Sequence, residues 1–384
     1  MLFKQIPGNQ LIKKQLIKSV KQSRISHAQL FSGGSGSAKL ALAIAYARYI
    51  NCEKRGAIDS CGKCNSCIKY NSLSHSDLHL TFPVLKLKSA KTAVSDDFVA
   101  LWREAILKNP YLSANDWVDF FSADNKPGNT GAIYKDEANL LHKKLSLKNF
   151  ESPYRIVLIW MPELMNKQTS NKLLKILEEP PVGTVFLLVS QSPFKLLPTV
   201  YSRLQHTRIN DFSISDMLEF FKKDNVSADK IKTIHQIADS DLGKMIQLLQ
   251  VDSSEGAFFN HFKLWMRLTY KSDVVNISKW LEDISVMGRN YQKLFLSYAI
   301  KMIRECLIFN FASKSLLKQK NVKEQAFISK FAPFINGQNS VVIVEELEKA
   351  IQAVNRNANS KILLFDLSLK MAKFLKKEYK FAIE

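Results

Sequence analysis

Four of the five cysteines in this 384-residue chain, Cys52, Cys61, Cys64 and Cys67, fall within one short stretch, the last three as a CxxCxxC run. A zinc ion takes four tetrahedral ligands and binds thiolate well, and two-residue gaps let successive sulfurs turn back toward one point. The spacing predicts a structural Zn2+ held by these four residues. Four thiolates close the shell and leave no place for a reactive water, so the ion would hold the fold and do no chemistry. Scattered cysteines would read as ordinary buried thiols, which is the reading for Cys306 in the apolar helical stretch Met302–Phe309. His75 and His79 follow the cluster and could extend a metal site, but four sulfurs already suffice.

A second group has the shape of a nucleotide site. A working phosphate loop reads GxxxxGK[ST]: glycines let backbone N–H groups approach phosphate, the Lys reaches the β and γ phosphates, and the hydroxyl holds magnesium. The frame here is Gly33-Gly34-Ser35-Gly36-Ser37-Ala38-Lys39-Leu40. Gly33, Gly36 and Lys39 are the phosphate-binding candidates. Ala38 stands where the second motif glycine belongs, and Leu40 cannot coordinate a metal. An ATPase would also place an acidic pair after a buried strand, one residue for magnesium and one to polarise water. Trp160 and Met161 stand there, and Glu163 lies beyond a proline and out of position. Losses in both halves of one site predict a loop without productive ATP binding or intrinsic hydrolysis.

These groups need elements to carry them. Leu11–Val20 has helical apolar spacing; His27–Phe31 is a short apolar run, followed by the glycine loop and a helix. Tyr154–Trp160 and Thr184–Ser190 are continuous apolar runs, as expected of strands buried on both faces. Gln168–Glu179 reads as a helix stopped by Pro180-Pro181. Strands alternating with helices predict a parallel α/β sheet. Within 86–149 the sequence suggests helices at Asp96–Leu107 and Lys135–Leu145, with a polar loop, Ser122–Gly131, between them. After Asn210 only helical patterns remain.

The length predicts two or three domains. A net charge of +20 would draw the chain to polyanions, nucleic acid being the common one. Two local groups, Lys13, Lys14, Lys18, Lys21 and Arg24, and Lys370, Lys373, Lys376, Lys377 and Lys380, read as solvated helix faces. No stretch has the length of a membrane span, and MLFKQIPGNQ lacks the apolar run of a secretory leader. Metal-type cysteine usage fits a reducing compartment, so the expectation is a cytoplasmic protein with no membrane partner.

HAQLFSGGSGSAK, the cysteine spacing, HSDLH (His75–His79), SNKLLKILEEPP (Ser170–Pro181) and SRLQ (Ser202–Gln205) occur in one order. Together they resemble the bacterial clamp-loader subunits of DNA polymerase III, an AAA+ family. The segment Asn355–Asn359 is similar to the collar region of one member. The resemblance covers most of the chain, with a gap around 86–131. It implies an α/β AAA+ (RecA-like) domain with an inserted zinc module at about 52–67, then a small helical lid and an all-α collar. The expected boundaries are 1–208, 209–256 and 257–384.

Two types in that family carry the cysteine module. The gamma/tau motor has intact ATPase motifs; delta-prime has degenerate ones and acts as a rigid stator. Ala38, Leu40, Trp160 and Met161 depart from the motor, as does Gly243, where its lid would carry a sensing arginine. The resemblance therefore implies a stator that assembles with gamma/tau and delta subunits. It would act on the sliding clamp indirectly and sit around primer-template DNA. Ser202-Arg203 matches the family's SRC motif with Leu204 in place of Cys. In that match Arg203 reaches a neighbour's ATP site as an arginine finger, where a planar cation suits a transferring phosphoryl group. Taken without the motif, Arg203 would read as a capping or salt-bridge residue. Glu178-Glu179 read as a helix end. The alternatives are an active gamma/tau-like ATPase, and a zinc-dependent DNA-binding module on an α/β scaffold.

Overall fold

Five parallel strands form the frame among the residues described by the computed structural model, which are 1–85, 93–121, 131–224, 226–251, 256–311, 322–355 and 358–376. They are β1 (Ala28–Ser32), β2 (Leu78–Thr81), β3 (Arg155–Trp160), β4 (Thr184–Ser190) and β5 (Gln205–Arg208), in the order β2-β3-β4-β1-β5. Register runs Leu30 beside Leu188, Leu158 beside Leu187, and Leu80 beside Leu158. Every residue of β3 and β4 is buried, which explains the apolar stretches Ile156–Trp160 and Val185–Val189, with Arg155, Thr184 and Ser190 at the strand ends. The expected parallel α/β sheet is present.

The helices around this sheet are α1 (Gln10–Lys21), α2 (Lys39–Asn51), α3 (Asn65–Asn71), α4 (Val99–Lys108), α5 (Ala114–Phe121), α6 (Lys135–Leu145), α7 (Lys167–Glu178), α8 (Pro198–Tyr201), α9 (Ile214–Phe220), α10 (Ala228–Ala238) and α11 (Leu242–Val251). Alternate strand residues, Leu30, Val157, Ile159, Phe186 and Leu188, pack with Leu141, Leu173 and Leu177 of α6 and α7. On the other face Phe31 meets Tyr46 of α2 at 6.2 Å. All of α2 is buried, so it is a core helix rather than an amphipathic one. The helix α7 starts where the Asn166 side chain accepts the Thr169 N–H, 2.7 Å away, and stops before Pro180.

Two details of the sequence reading are corrected. Lys13 is not on a solvated face: it is buried, and its ammonium donates to the Ile6 carbonyl oxygen at 2.5 Å. Leu11, read as part of the apolar stripe, is 76% exposed. The remaining described members of the two basic groups are exposed except Lys370, which pairs with Glu346 and Asp366; Lys377 and Lys380 lie outside the described residues.

The chain divides into two units, 1–246 and 247–384. The second is helical throughout its described residues: α12 (Ala257–Lys271), α13 (Val274–Val286), α14 (Gly288–Phe311), α15 (Val322–Phe331), α16 (Gly337–Asn355) and α17 (Ser360–Lys376). Its centre is aromatic. Trp265 stacks on Trp280 with centroids 5.4 Å apart and planes 4° apart. Phe295 closes the group, and the Trp265 indole N–H donates to Ser368 Oγ at 2.8 Å. Cys306 is fully buried in α14.

Candidate metal centre and phosphate loop

The cysteines converge at the carboxyl end of α2. Cys52 caps that helix, Cys61 lies in the following loop, and Cys64 caps α3, whose first turn carries Cys67. The four sulfurs lie within 4.8 Å of one another. A tetrahedral ion with Zn–S bonds of about 2.3 Å needs sulfurs roughly 3.8 Å apart, and Cys61 and Cys67 are already at 3.9 Å. Backbone N–H groups point at the sulfurs: Lys63 and Cys64 donate to Cys61 at 3.4 and 3.3 Å, and Cys61 to Cys52 at 3.3 Å. The Lys63 and Cys64 donors hold the Cys61 thiol down to about 6, while burial pushes Cys52 up to about 12. Four sulfurs this close cannot all become thiolates without a cation among them, so the donor set fits a metal ion. His75 and His79 stay outside. The His75 ring takes the Asp77 N–H on Nδ1 and faces Ser152 Oγ with Nε2, and His79 lies on β2.

The opposite end of α2 carries the phosphate loop. It leaves β1 at Gly33 and enters α2 at Lys39, so strand, glycine turn and helix follow in the expected order. Its anion-binding side is not open. Gly36 has φ +64, and a Cβ there would lie 1.8 Å from Asp241 Oδ1; a Cβ on Gly34 would lie 2.7 Å from Asp211 Oδ1. Two carboxylates therefore rest on the loop. Lys39 is buried and turned back on its own loop, donating to the Gly34 carbonyl oxygen at 2.6 Å. Burial lowers its amine to about 8, against the pull of Asp241, Glu163 and Asp211. Burial also raises the Asp241 carboxyl above its ordinary range. A polyphosphate entering here would meet carboxylates already placed around the loop's buried lysine.

At the end of β3, Trp160 is fully buried and meets Trp102 edge-on at 6.1 Å. Met161 is buried in a left-handed conformation. Glu163 accepts the Gln191 and Ser192 N–H groups at 2.8 and 3.0 Å, which ties the end of β4 to the turn after β3. It serves as an anchor in the structure.

Arg203 lies in the turn between α8 and β5, its side chain 35% exposed. It pairs with Glu178 at the end of α7 and donates from Nη1 to the Thr199 carbonyl oxygen at 2.6 Å. Leu204, which replaces the motif cysteine, is buried in the sheet core. The structure thus brings the four cysteines together, and Gly33, Gly36 and Lys39 together in a separate place; Arg203 belongs to neither group. Sequence reading missed Asp211, Asp241 and the Glu178 partner of Arg203. Nothing local marks the two aspartates, which lie far along the chain from the loop they cover.

The comparisons with known proteins converge on one family. A family model described as "DNA polymerase III, delta subunit" matches residues 8–213. A DNA polymerase III subunit delta' of Bacillus subtilis is 28% identical over 194 residues, 50% of this chain and 45% of that protein. The subunit delta' of Pseudomonas aeruginosa is 29% identical over 178 residues, covering 46% of this chain and 41% of the relative. A gamma/tau subunit of Mycobacterium bovis is 26% identical over 212 residues, covering 53% and 28%. The chain thus spans less than half the length of these curated relatives. Among the described residues no helix is long and apolar enough to cross a membrane. With the family model matching more than half of its length, this chain belongs to the DNA polymerase III delta subunit family.

Proposed function

We propose that this chain is a non-hydrolysing, delta-prime-like stator of the bacterial clamp loader; two of its relatives are named DNA polymerase III subunit delta'. The observation that carries the reading is the phosphate loop: Asp211 and Asp241 sit against it and Lys39 is bonded to Gly34. With Leu40, Trp160 and Met161 in place of the metal-binding and water-polarising groups, it has no means to activate a phosphoryl transfer. In this reading the four cysteines hold a structural Zn2+. Residues 1–208, 209–256 and 257–384 act as the α/β domain, lid and collar. The collar joins gamma/tau-type and delta subunits in a cytoplasmic hetero-oligomer that acts on the sliding clamp, and the basic surface retains primer-template DNA. Arg203 serves a neighbour's ATP site: Glu178 holds the guanidinium at the surface, where a planar permanent cation can be handed to a phosphoryl group.

The test is steady-state ATPase and clamp loading by the reconstituted complex. Arg203→Ala should leave zinc content and assembly unchanged and lower the DNA- and clamp-stimulated rate. A sole arginine finger is worth roughly 10³–10⁵ in rate, and the loss here should be partial because other motor sites keep their own. Arg203→Lys should also fail, since a point charge cannot reproduce the planar fork. Wild-type rates in both variants would make Arg203 a structural residue. ATP turnover by the isolated chain that vanishes with Lys39→Ala would put the gamma/tau-like motor in place of the stator.

A further inference from the structure

In open α/β sheets ligands lie in the crevice at the carboxyl ends of the strands. Here the part of that edge at β2 and β3 is covered by residues 93–121 of the chain itself. The strand β2 runs out into Phe82 and β3 ends at Trp160. Trp102 of α4 stacks on Phe82, centroids 5.0 Å and planes 6° apart, and meets Trp160 at 6.1 Å. Trp117 of α5 stands edge-on to Phe82 at 5.5 Å and donates its indole N–H to the Pro83 carbonyl oxygen at 2.8 Å. None of these four rings is more than 1% exposed. The root of the segment is pinned by Ser95, which exchanges hydrogen bonds with the Phe82 backbone and donates its N–H to the buried Glu137 carboxylate at 2.7 Å.

The turn between α4 and α5 reaches the other way. The Tyr111 ring meets Phe212 at 5.9 Å, and the Tyr111 carbonyl oxygen would lie 2.4 Å from a Cβ on Gly243. Gly243 opens α11 beside Asp241, whose carboxylate rests on Gly36 of the phosphate loop. One segment thus joins the ends of β2 and β3 to the helical part that follows β5. Two departures from a motor sequence acquire a physical reason. Trp160 is the seat of this segment, and Gly243 is glycine because any side chain would push the Tyr111 carbonyl away.

We propose that residues 93–121 are a built-in wedge over the carboxyl ends of β2 and β3, and that it fixes α9 to α11 on the α/β layer in one closed arrangement, whatever nucleotide is present. The inference deepens the stator reading and rests on it for its purpose; the wedge itself stands on the contacts above. It is tested by amide hydrogen exchange of the full chain, followed in α9 and α10, with and without Mg-ATP. In the wild type, ATP should leave exchange there unchanged. Tyr111→Ala and Gly243→Ala, which attack the contact from opposite sides and spare the tryptophans, should each speed it about tenfold or more while β3, β4 and the cysteine module keep their protection. Unchanged exchange in both variants, or slowing by ATP in the wild type, would overturn the wedge. The wild-type ATP arm needs no variant to fold. ATP turnover by the isolated chain bears on the stator reading alone, and insensitivity to the two substitutions bears on the wedge alone.

Discussion

The two ends of α2 carry the two sites that the sequence announces, and they have gone in opposite directions. At the carboxyl end four sulfurs converge with backbone N–H groups aimed at them, a donor set complete for a cation. At the amino end the glycine turn and its lysine keep their shape, but the place for an anion is taken by carboxylates of the same chain. A helix amino terminus favours negative charge whatever its source. Asp211 and Asp241 meet that preference internally, so the loop outlives its ligand as a packing surface. A short motif reports backbone shape; whether the shape still serves a ligand depends on residues distant in sequence.

Removing one ligand at the cysteine end should have the largest effect. Cys64→Ser should abolish stoichiometric zinc and unfold the module, because binding and folding of such sites share one free energy, about 10–16 kcal/mol for zinc in small finger peptides. Metal analysis after gentle purification together with a thermal melt checks this. A zinc-loaded, equally stable variant would show that Cys64 is not needed to hold the ion, and a wild type without zinc would show that the cysteines are mere packing. At the other end the expected losses concern packing. Trp160→Ala should lower stability by about 3–5 kcal/mol in a denaturant titration, and Trp160→Asp with Met161→Glu should not create ATP turnover. Appearance of turnover would mean that the crevice is open and the contrast between the two ends false.

Lys39→Met sharpens the contrast further. In a working loop it would be fatal to hydrolysis. Here it should cost about 1–3 kcal/mol, from the unpaired Gly34 carbonyl and the two unbalanced carboxylates, and leave turnover of the reconstituted complex at the wild-type level. The smallest effect is expected at His79, whose imidazole is pushed down to about 4 by burial and by Lys144 and Arg155. The unfolded chain takes up this proton below the ordinary value of 6.5, so the folded state loses stability as pH falls from about 6.5 to about 4. His79→Asn should flatten the stability profile in that window and leave zinc content unchanged. Loss of zinc in this variant would bring His79 into the metal site.

Much of this was legible, for identifiable reasons. The strands β3 and β4 read clearly because both faces are covered, so Ile156–Trp160 and Val185–Val189 are apolar throughout. The edge strands did not. Strand β5 reads Gln-His-Thr-Arg and is mostly exposed, and β2 is four residues with a histidine and a threonine. Both are strands because a central neighbour offers hydrogen bonds, which leaves little local signal. Helix α6 was read at its bounds, whereas α5 was missed because its eight residues lie in a segment with no resemblance to guide the reading. The cysteines were legible because metal chemistry dictates spacing. The carboxylates over the phosphate loop were not, since tertiary packing alone brings 211 and 241 to 34 and 36.

All five tryptophans are buried, three in the first unit and two in the second, and the two sets differ in geometry. Trp265 and Trp280 lie nearly parallel and stacked, close enough for their excited states to couple, whereas Trp102 and Trp160 meet at 62°. The chain therefore carries its own optical labels. The near-ultraviolet dichroism of the stacked pair reports on the second unit, and indole emission shifting to the red on exposure reports on both. Loss of the paired signal before the full emission shift would give the order in which the two units unfold, without attaching any dye.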